Sequence, residues 1–306
     1  MAKYVLRRIL NLIFQVFLVV SLMFLLFRLL PGDPATIILG ANATQAEIEQ
    51  LREMMGLNDN IFVQYGRYIQ NLLTGDFGYS MSYGQDVIGV ILPRIWPTIQ
   101  LMLSSIGVAV AIGVPAGVLC GVYPYSKISK LFLTVWVGFL AVPNFWLGLI
   151  LVQIFAVKLN WLPSIGYGSA AAMVLPTLAI AARLIALIAR MTRSSVMEVT
   201  SEEYIGYARA KGLKEKTVVL KHTLRPALPS IITMVGMQAG YLLGGSIVIE
   251  NLFSYPGMGQ LLMAAVSVRD YELMQGITFF FVLAFLTINL IVDLLYGRID
   301  PRIRSE

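Results

Sequence analysis

The sequence predicts an all-α, polytopic membrane protein, on three observations. The chain of 306 residues is 58% hydrophobic and has a mean hydropathy of +0.76. Only 13% of its residues are charged, against about 25% in soluble domains. It also contains several runs of mostly apolar residues that reach the roughly 20 residues needed to cross a bilayer. These runs are too long and too uniformly apolar for the strands of a membrane β-barrel, which alternate over about ten residues.

The apolar runs predict six transmembrane helices, at residues 9–30, 98–123, 131–157, 171–190, 231–253 and 277–295. The first run is longer than the apolar part of a signal peptide, so we expect an uncleaved span. The chain is expected to divide into an N-terminal end with the first span (1–30), a helical insertion (31–97) and a core of five further spans (98–306).

The distribution of Lys and Arg predicts that both termini are cytoplasmic. With that orientation the cytoplasmic segments hold sixteen basic residues: Lys3, Arg7, Arg8, Lys127, Lys130, Arg190, Arg193, Arg209, Lys211, Lys214, Lys216, Lys221, Arg225, Arg298, Arg302 and Arg304. The outer segments hold five: Arg52, Arg67, Arg94, Lys158 and Arg269. This bias is a sufficient cause of the net charge of +6, so no nucleic-acid partner is expected.

The insertion is expected to fold into short amphipathic helices on the outer side of the membrane. Thr44 and Glu47 have the spacing of a capping box, which starts a helix. A second helix is expected to end near Gly75. The insertion is interpreted both as a lid on the bundle and as a docking surface for an external partner.

A basic segment between the fourth and fifth spans, residues 191–230, is expected to lie in the cytoplasm; we call it the coupling loop. Thr200 and Glu203 have capping-box spacing, and Gly212 marks a helix end beside Lys211. A helix this short is marginal alone. Little else in the chain is predicted on that side, so we expect the helix to pack against a cytoplasmic partner protein.

An ordered series of motifs resembles the B-type permeases of dipeptide, oligopeptide, nickel and glutathione ATP-binding-cassette (ABC) importers. The series is RRIL, LPGDP, GDFGYSMSY, LNWLPSIGYG, YARAKGLKEKTVVLKHTLRPA, GGSIVIENLFSYPGMGQLL, VRDYELMQG and LYGRIDPRIR. Glu203, Ala208 and Gly212 match the EAA loop of such permeases, whereas Tyr204 and Ile205 stand where that loop has two alanines.

The resemblance implies a type I importer permease that moves peptides, or else nickel, glutathione or an opine, across the bacterial inner membrane. It implies a C-type permease paralogue, two cytoplasmic ATPases that bind ATP and Mg²⁺, an extracytoplasmic binding protein and surrounding lipid as partners, with no cofactor in this chain. The short helix would be the coupling helix. The residues expected to contact an ATPase are Glu203, Tyr204, Tyr207, Ala208, Arg209, Lys211 and Gly212.

Three charged residues in or beside the spans are candidates for the pathway or a gate. A charge inside a span is costly and usually has a partner or faces water. Arg183 and Asp293 lie at similar expected depths, so we predict that they pair or face one wet cavity; the alternative is that Arg183 reaches the interface. Glu250 lies at the outer end of the fifth span, before a helix that Ser254 would cap, and is interpreted as a gate or docking residue.

The sequence contains no signature of catalysis. There is no phosphate-binding Gly-rich motif and no hydrolase motif. His222 is the only histidine and Cys120 the only cysteine, so neither an intrachain disulfide nor a metal site is expected. A stand-alone channel or carrier and a membrane scaffold are the rival functions; uptake that requires neither ATPases nor a binding protein would favour the first.

Overall fold

The computed structural model describes residues 2–29, 33–40 and 43–299. Two of the motifs quoted above, at residues 30–34 and 295–304, fall partly outside these ranges. Five continuous helices are long and apolar enough to span a membrane: α1 (Ala2–Leu29), α5 (Val87–Val122), α8 (Ala170–Thr200), α11 (Arg225–Leu252) and α13 (Tyr271–Ile299).

The third predicted span is not one straight helix. It consists of α6 (Lys127–Ala141) and α7 (Asn144–Leu151), the latter continued by a π-helical segment, Val152–Lys158. The two halves meet at 108°. Pro143 lies at the break, where it lacks the N–H that would continue the α6 hydrogen-bond ladder.

The insertion is folded, as the sequence predicted. It comprises α2 (Pro34–Leu39), α3 (Gln45–Met54), α4 (Ile61–Thr74) and a short antiparallel hairpin of β1 (Tyr79–Ser80) and β2 (Gln85–Asp86). The predicted capping box is confirmed, because the Thr44 hydroxyl accepts from the Glu47 N–H while the Glu47 carboxylate accepts from the Thr44 N–H. Gly75, with φ of 78°, ends α4 in the left-handed region.

Two carboxylates at the start of α13 attach the hairpin to the bundle. Oδ2 of Asp270 accepts hydrogen bonds from the hydroxyls of Ser80 and Ser82, at 2.7 and 2.6 Å. Oε2 of Glu272 accepts from the N–H of Tyr79 at 2.6 Å. The insertion is therefore bonded to the last long helix, 190 residues away in sequence.

The core of the bundle is the contact between α5 and α8. Gly113, Gly117 and Gly121 lie four residues apart on α5, facing α8. A Cβ at Gly117 would lie 2.6 Å from the carbonyl oxygen of Ala189. The absence of side chains lets the two backbones approach closely, which is the usual way that helices pack in lipid.

A buried carboxylate fixes the turn between α11 and α12 (Met258–Val268). Glu250 is fully buried, and its Oε2 accepts from the N–H of Gly259 at 2.7 Å and of Gln260 at 3.3 Å. The hydroxyl of Thr98, on α5, accepts from the N–H of Met258 at 2.8 Å. The first N–H groups of α12 are thus satisfied by residues of two other helices.

This arrangement corrects the prediction that Ser254 caps α12. Ser254 has φ of 48° and ends the turn after α11, while the N-cap position is Gly257, which has no side chain. The Glu250 carboxylate, on α11, supplies the side-chain acceptor that Gly257 lacks. Gly257 is required there because a Cβ would collide with the Glu250 carboxylate.

Replacement of Gly117 by alanine is expected to destabilise the bundle by about 1–3 kcal/mol, the usual cost of overpacking. The matched control is Gly107→Ala on the same helix, where no atom lies within 4 Å of the new Cβ. That control should be neutral or slightly stabilising, because alanine favours helix more than glycine does. Thermal unfolding of the purified proteins in detergent measures both, and equal melting temperatures would contradict the packing described for α5 and α8.

Glu250→Ala is expected to increase hydrogen exchange at the amides of Gly259 and Gln260. Each buried donor left without a partner costs about 1–3 kcal/mol. Glu250→Gln keeps an acceptor oxygen and should retain most of the protection. The Leu261 amide, bonded to the Gly257 carbonyl in either variant, is the internal control; unchanged exchange at Gly259 in Glu250→Ala would refute the capping role.

Candidate functional site: the coupling loop

The long helices on either side extend into the predicted coupling loop. α8 continues to Thr200 and α11 begins at Arg225, so residues 201–224 alone connect them. This connection contains α9 (Glu203–Ala210), α10 (Glu215–Thr217) and a π-helical segment, Val218–Leu224, that runs directly into α11. The loop is therefore continuous with α11, and a two-residue turn at 201–202 joins it to α8.

The start of α9 differs from the prediction. Thr200 does not cap it: its hydroxyl donates to the Val196 carbonyl inside α8, at 2.6 Å. The N-cap residue is Glu202, which makes no side-chain capping bond. The predicted end is confirmed, since Gly212 follows with φ of 76° and its N–H donates to the Arg209 carbonyl.

One side of α9 packs against its own chain. Ile205 is fully buried and Ala208 is 8% exposed, and both contact Val218 and the partly buried Val199. The expectation that little of this chain is available for the helix to pack against was therefore wrong. These few apolar contacts are a small cluster, which holds the helix in place and leaves its other side open.

Polar contacts hold α9 against the segment that follows it. Arg209 donates two hydrogen bonds to the Glu215 carboxylate, from Nη2 at 2.8 Å and from Nε at 3.2 Å. These bonds raise the pKa of the Arg209 guanidinium above its ordinary value. The Tyr204 hydroxyl donates to the His222 carbonyl at 3.2 Å. Partial burial raises the pKa of Tyr204 above its ordinary value, and the negative charge of the nearby Glu202 raises it further.

The open side of α9 includes all of the residues expected to contact an ATPase except Ala208. Ala208 was expected to make that contact too, but it points into the chain. The exposed residues include Glu203, Gly206, Tyr207, Ala210, Lys211 and Gly212. Tyr207 is 68% exposed. Glu203 lies in the first turn, where a negative charge suits the helix dipole.

The predicted pairing of Arg183 with Asp293 is wrong. Asp293 forms an ion pair with Arg8 of α1, with 2.8 Å between Nη1 and Oδ2. The reason is topological: α13 packs mainly against α1 and α11, whereas α8 packs mainly against α5. Arg183 lies on the exposed side of α8, whereas Glu250 is buried against α12. The three candidate pathway residues therefore do not form one site.

Three residues that matter here were given no structural role from the sequence: Ile205, Glu215 and Thr98. Ile205 carries a usable signal, because an apolar residue three positions before Ala208 predicts a buried side of α9. Glu215 and Thr98 act through partners that only the fold brings close. Among the described residues, no three His, Cys, Asp or Glu side chains lie together as a metal site requires.

Comparisons with known proteins agree with this architecture. Residues 113–305 match the family of binding-protein-dependent transport system inner membrane components, and residues 1–102 match the N-terminal part of such membrane components. The chain is 43% identical over 306 residues, 100% of each chain, to the glutathione transport system permease protein GsiC of Escherichia coli K12. GsiC of Shigella flexneri serotype 5b matches with the same identity and coverage.

Solved structures show the same fold. The inward-facing MetNI methionine ABC transporter aligns with a TM-score of 0.57 at 23% identity, over 70% of this chain and 97% of the other. An amino acid ABC transporter aligns with a TM-score of 0.50 at 16% identity, over 69% and 94%. The chain therefore belongs to the family of inner membrane components of binding-protein-dependent transport systems and is a permease subunit of an ABC importer.

Proposed function

We propose that this permease carries small peptides or a related small solute inward, with glutathione as the first candidate. End-to-end identity of 43% with the glutathione permease GsiC supports this substrate class. No insertion or missing domain separates the two chains, since all 306 residues align. Nickel and opine transport remain the alternatives within the family.

We propose that α9 is the coupling helix and that its open face lies in a groove of an ATPase. One observation carries this assignment: α9 is anchored on one side by Ile205 and Ala208 and presents Tyr207 to solvent on the other. A helix held in this way moves as a unit with α8 and α11. Closure of the ATPases on ATP would then favour one arrangement of these helices by binding it more tightly.

We propose that a second, C-type permease subunit packs against α11. Met237, Tyr241 and Val248 are exposed on this helix, at 52, 69 and 53%. Gly244 and Gly245 lie beside them with no atom within 4 Å of where a Cβ would be. Small residues flanked by apolar side chains favour close helix association in lipid.

The remaining parts of the proposed assembly lie outside this chain. ATP and Mg²⁺ would be bound by the two ATPases, since this sequence lacks a phosphate-binding motif. A binding protein would deliver substrate at the insertion end. Both termini would be cytoplasmic, which the excess of Lys and Arg in the segments on that side supports.

Reconstitution tests the proposed function. The chain, co-purified with its second permease and ATPases, is placed in proteoliposomes with the binding protein outside. Uptake of labelled glutathione or a tripeptide is expected to require both ATP inside and the binding protein. Uptake by this chain alone, or ATP-driven uptake of nickel but of no peptide, would contradict the proposal.

Single cysteines on α9 test the coupling role, with Cys120 replaced by serine. Ala210→Cys, on the open face, is expected to crosslink to an ATPase bearing a cysteine in its groove, whereas Ala208→Cys, on the buried side, is not. The two variants make the same substitution two positions apart. Equal crosslinking yields would show that the assigned face of α9 is wrong.

Tyr207→Ala provides the matching functional measurement. Loss of the exposed ring is expected to lower ATP-driven uptake at least about tenfold, a loss of roughly 1.4 kcal/mol of interaction, without changing the melting temperature of the chain. Tyr207→Phe keeps the ring and is the control. Normal uptake by Tyr207→Ala would remove this residue from the ATPase interface.

A further inference from the structure

Arg183 lies near the middle of α8, the most buried of the candidate spans. It is 13 residues from the start and 17 residues from the end of a helix that spans Ala170–Thr200, so it is about 20 Å from one end and about 25 Å from the other. The predicted span ends at residue 190, about 10 Å beyond Arg183, and a charge inside a span is costly unless it meets water or an opposite charge.

Arg183 begins an exposed stripe on α8 in which three of four side chains are polar. Leu187, Arg190 and Ser194 follow it at spacings of four, three and four residues, which places all of them on one face. Arg190 and Ser194 are exposed, and Leu187, between the two arginines, is partly exposed. We call these four residues the α8 stripe. Towards the insertion end the same face is closed by three buried residues, Pro176, Ala179 and Ile180.

Arg183 forms no ion pair or hydrogen bond with any of the described residues. Asp293, the acid that the sequence offered, pairs with Arg8 instead. Arg190 and Ser194 lie at and beyond residue 190, the predicted inner end of this span, so the cost of a charge in hydrocarbon falls on Arg183. The α8 stripe is therefore better suited to a wet pathway than to lipid.

The spacing of the stripe suits a short peptide. Arg183 and Arg190 are seven residues apart on one helix, which corresponds to about 10.5 Å. An extended chain of three residues spans about 10–11 Å. Guanidinium groups bind carboxylates by paired, charge-assisted hydrogen bonds, which a neutral amide cannot match. Leu187 offers an apolar contact to the middle of such a peptide, between its charged ends.

We propose that the α8 stripe binds the carboxylates of the transported solute, so that this importer favours small peptides with net negative charge. This proposal rests on the function proposed above and assigns its substrate class. Arg183 contacts the side-chain carboxylate at the closed end of the stripe, and Arg190 contacts the C-terminal carboxylate nearer the coupling loop.

Uptake of matched tripeptides tests the proposal in the reconstituted complex. Glu-Ala-Ala and Gln-Ala-Ala have the same shape and differ by one charge; each is supplied at a concentration that saturates the binding protein. Arg183→Gln is expected to lower Glu-Ala-Ala uptake at least about tenfold, which corresponds to roughly 1.4 kcal/mol, and to change Gln-Ala-Ala uptake less than about twofold. Arg183→Lys, which keeps the charge, should recover part of the loss.

The outcomes separate this proposal from the function on which it rests. Equal loss of both peptides in Arg183→Gln would mean that Arg183 pairs with an acid of the second permease subunit, and would overturn the inference. Unchanged uptake of both would overturn it too. No ATP-driven uptake of any peptide by the wild type would instead overturn the proposed function, and the labelling experiment below would then decide about the stripe.

Cysteine labelling tests the stripe without transport. In a Cys120→Ser background, Leu187→Cys is expected to react with a charged thiol reagent. Leu184→Cys makes the same substitution three positions away, where the side chain is 5% exposed, and is expected not to react. Glu-Ala-Ala should slow the labelling of Leu187→Cys at least about threefold more than Gln-Ala-Ala does, given the stronger binding of charged acceptors. An unreactive Leu187→Cys, or equal protection by the two peptides, would overturn the proposal.

Discussion

The close contact between α5 and α8 is the constraint on which the rest of the bundle depends. Glycines at four-residue spacing on α5 remove the side chains that would separate the two backbones. α8 is thereby surrounded by α5, α6, α7 and α11, and a narrow stripe of it remains exposed. Because α8 also continues to Thr200, the helix at the centre of the bundle is the one that reaches the coupling loop.

The two ends of the bundle use different physical means to hold short helices in place. At the insertion end, Glu250 and Thr98 satisfy the first N–H groups of α12 with buried hydrogen bonds. At the other end, α9 is held by a small apolar cluster and by a solvent-exposed ion pair between Arg209 and Glu215. Exposed pairs contribute little, about 0–1 kcal/mol. The coupling loop is therefore the less firmly held of the two ends.

The sequence predicted the features that depend on local pattern. Apolar runs located the long helices, and the Thr44–Glu47 capping box and Gly212 gave correct helix limits. It failed where a contact joins distant residues. Asp293 has Arg8 as its partner, and Glu250 replaces the capping role expected of Ser254. Thr200 was misassigned for a related reason: whether a threonine caps a new helix or continues the old one depends on the packing around α8, which capping-box spacing does not report.

The hydrogen bonds between the β1–β2 hairpin and the start of α13 determine how the insertion can move. Asp270 accepts from Ser80 and Ser82, and Glu272 accepts from Tyr79. Because these bonds attach the hairpin to α13, the insertion does not rotate freely about its two connections to the chain. A force applied to the insertion is instead passed to the last long helix, whose far end is joined through Asp293 to the beginning of α1.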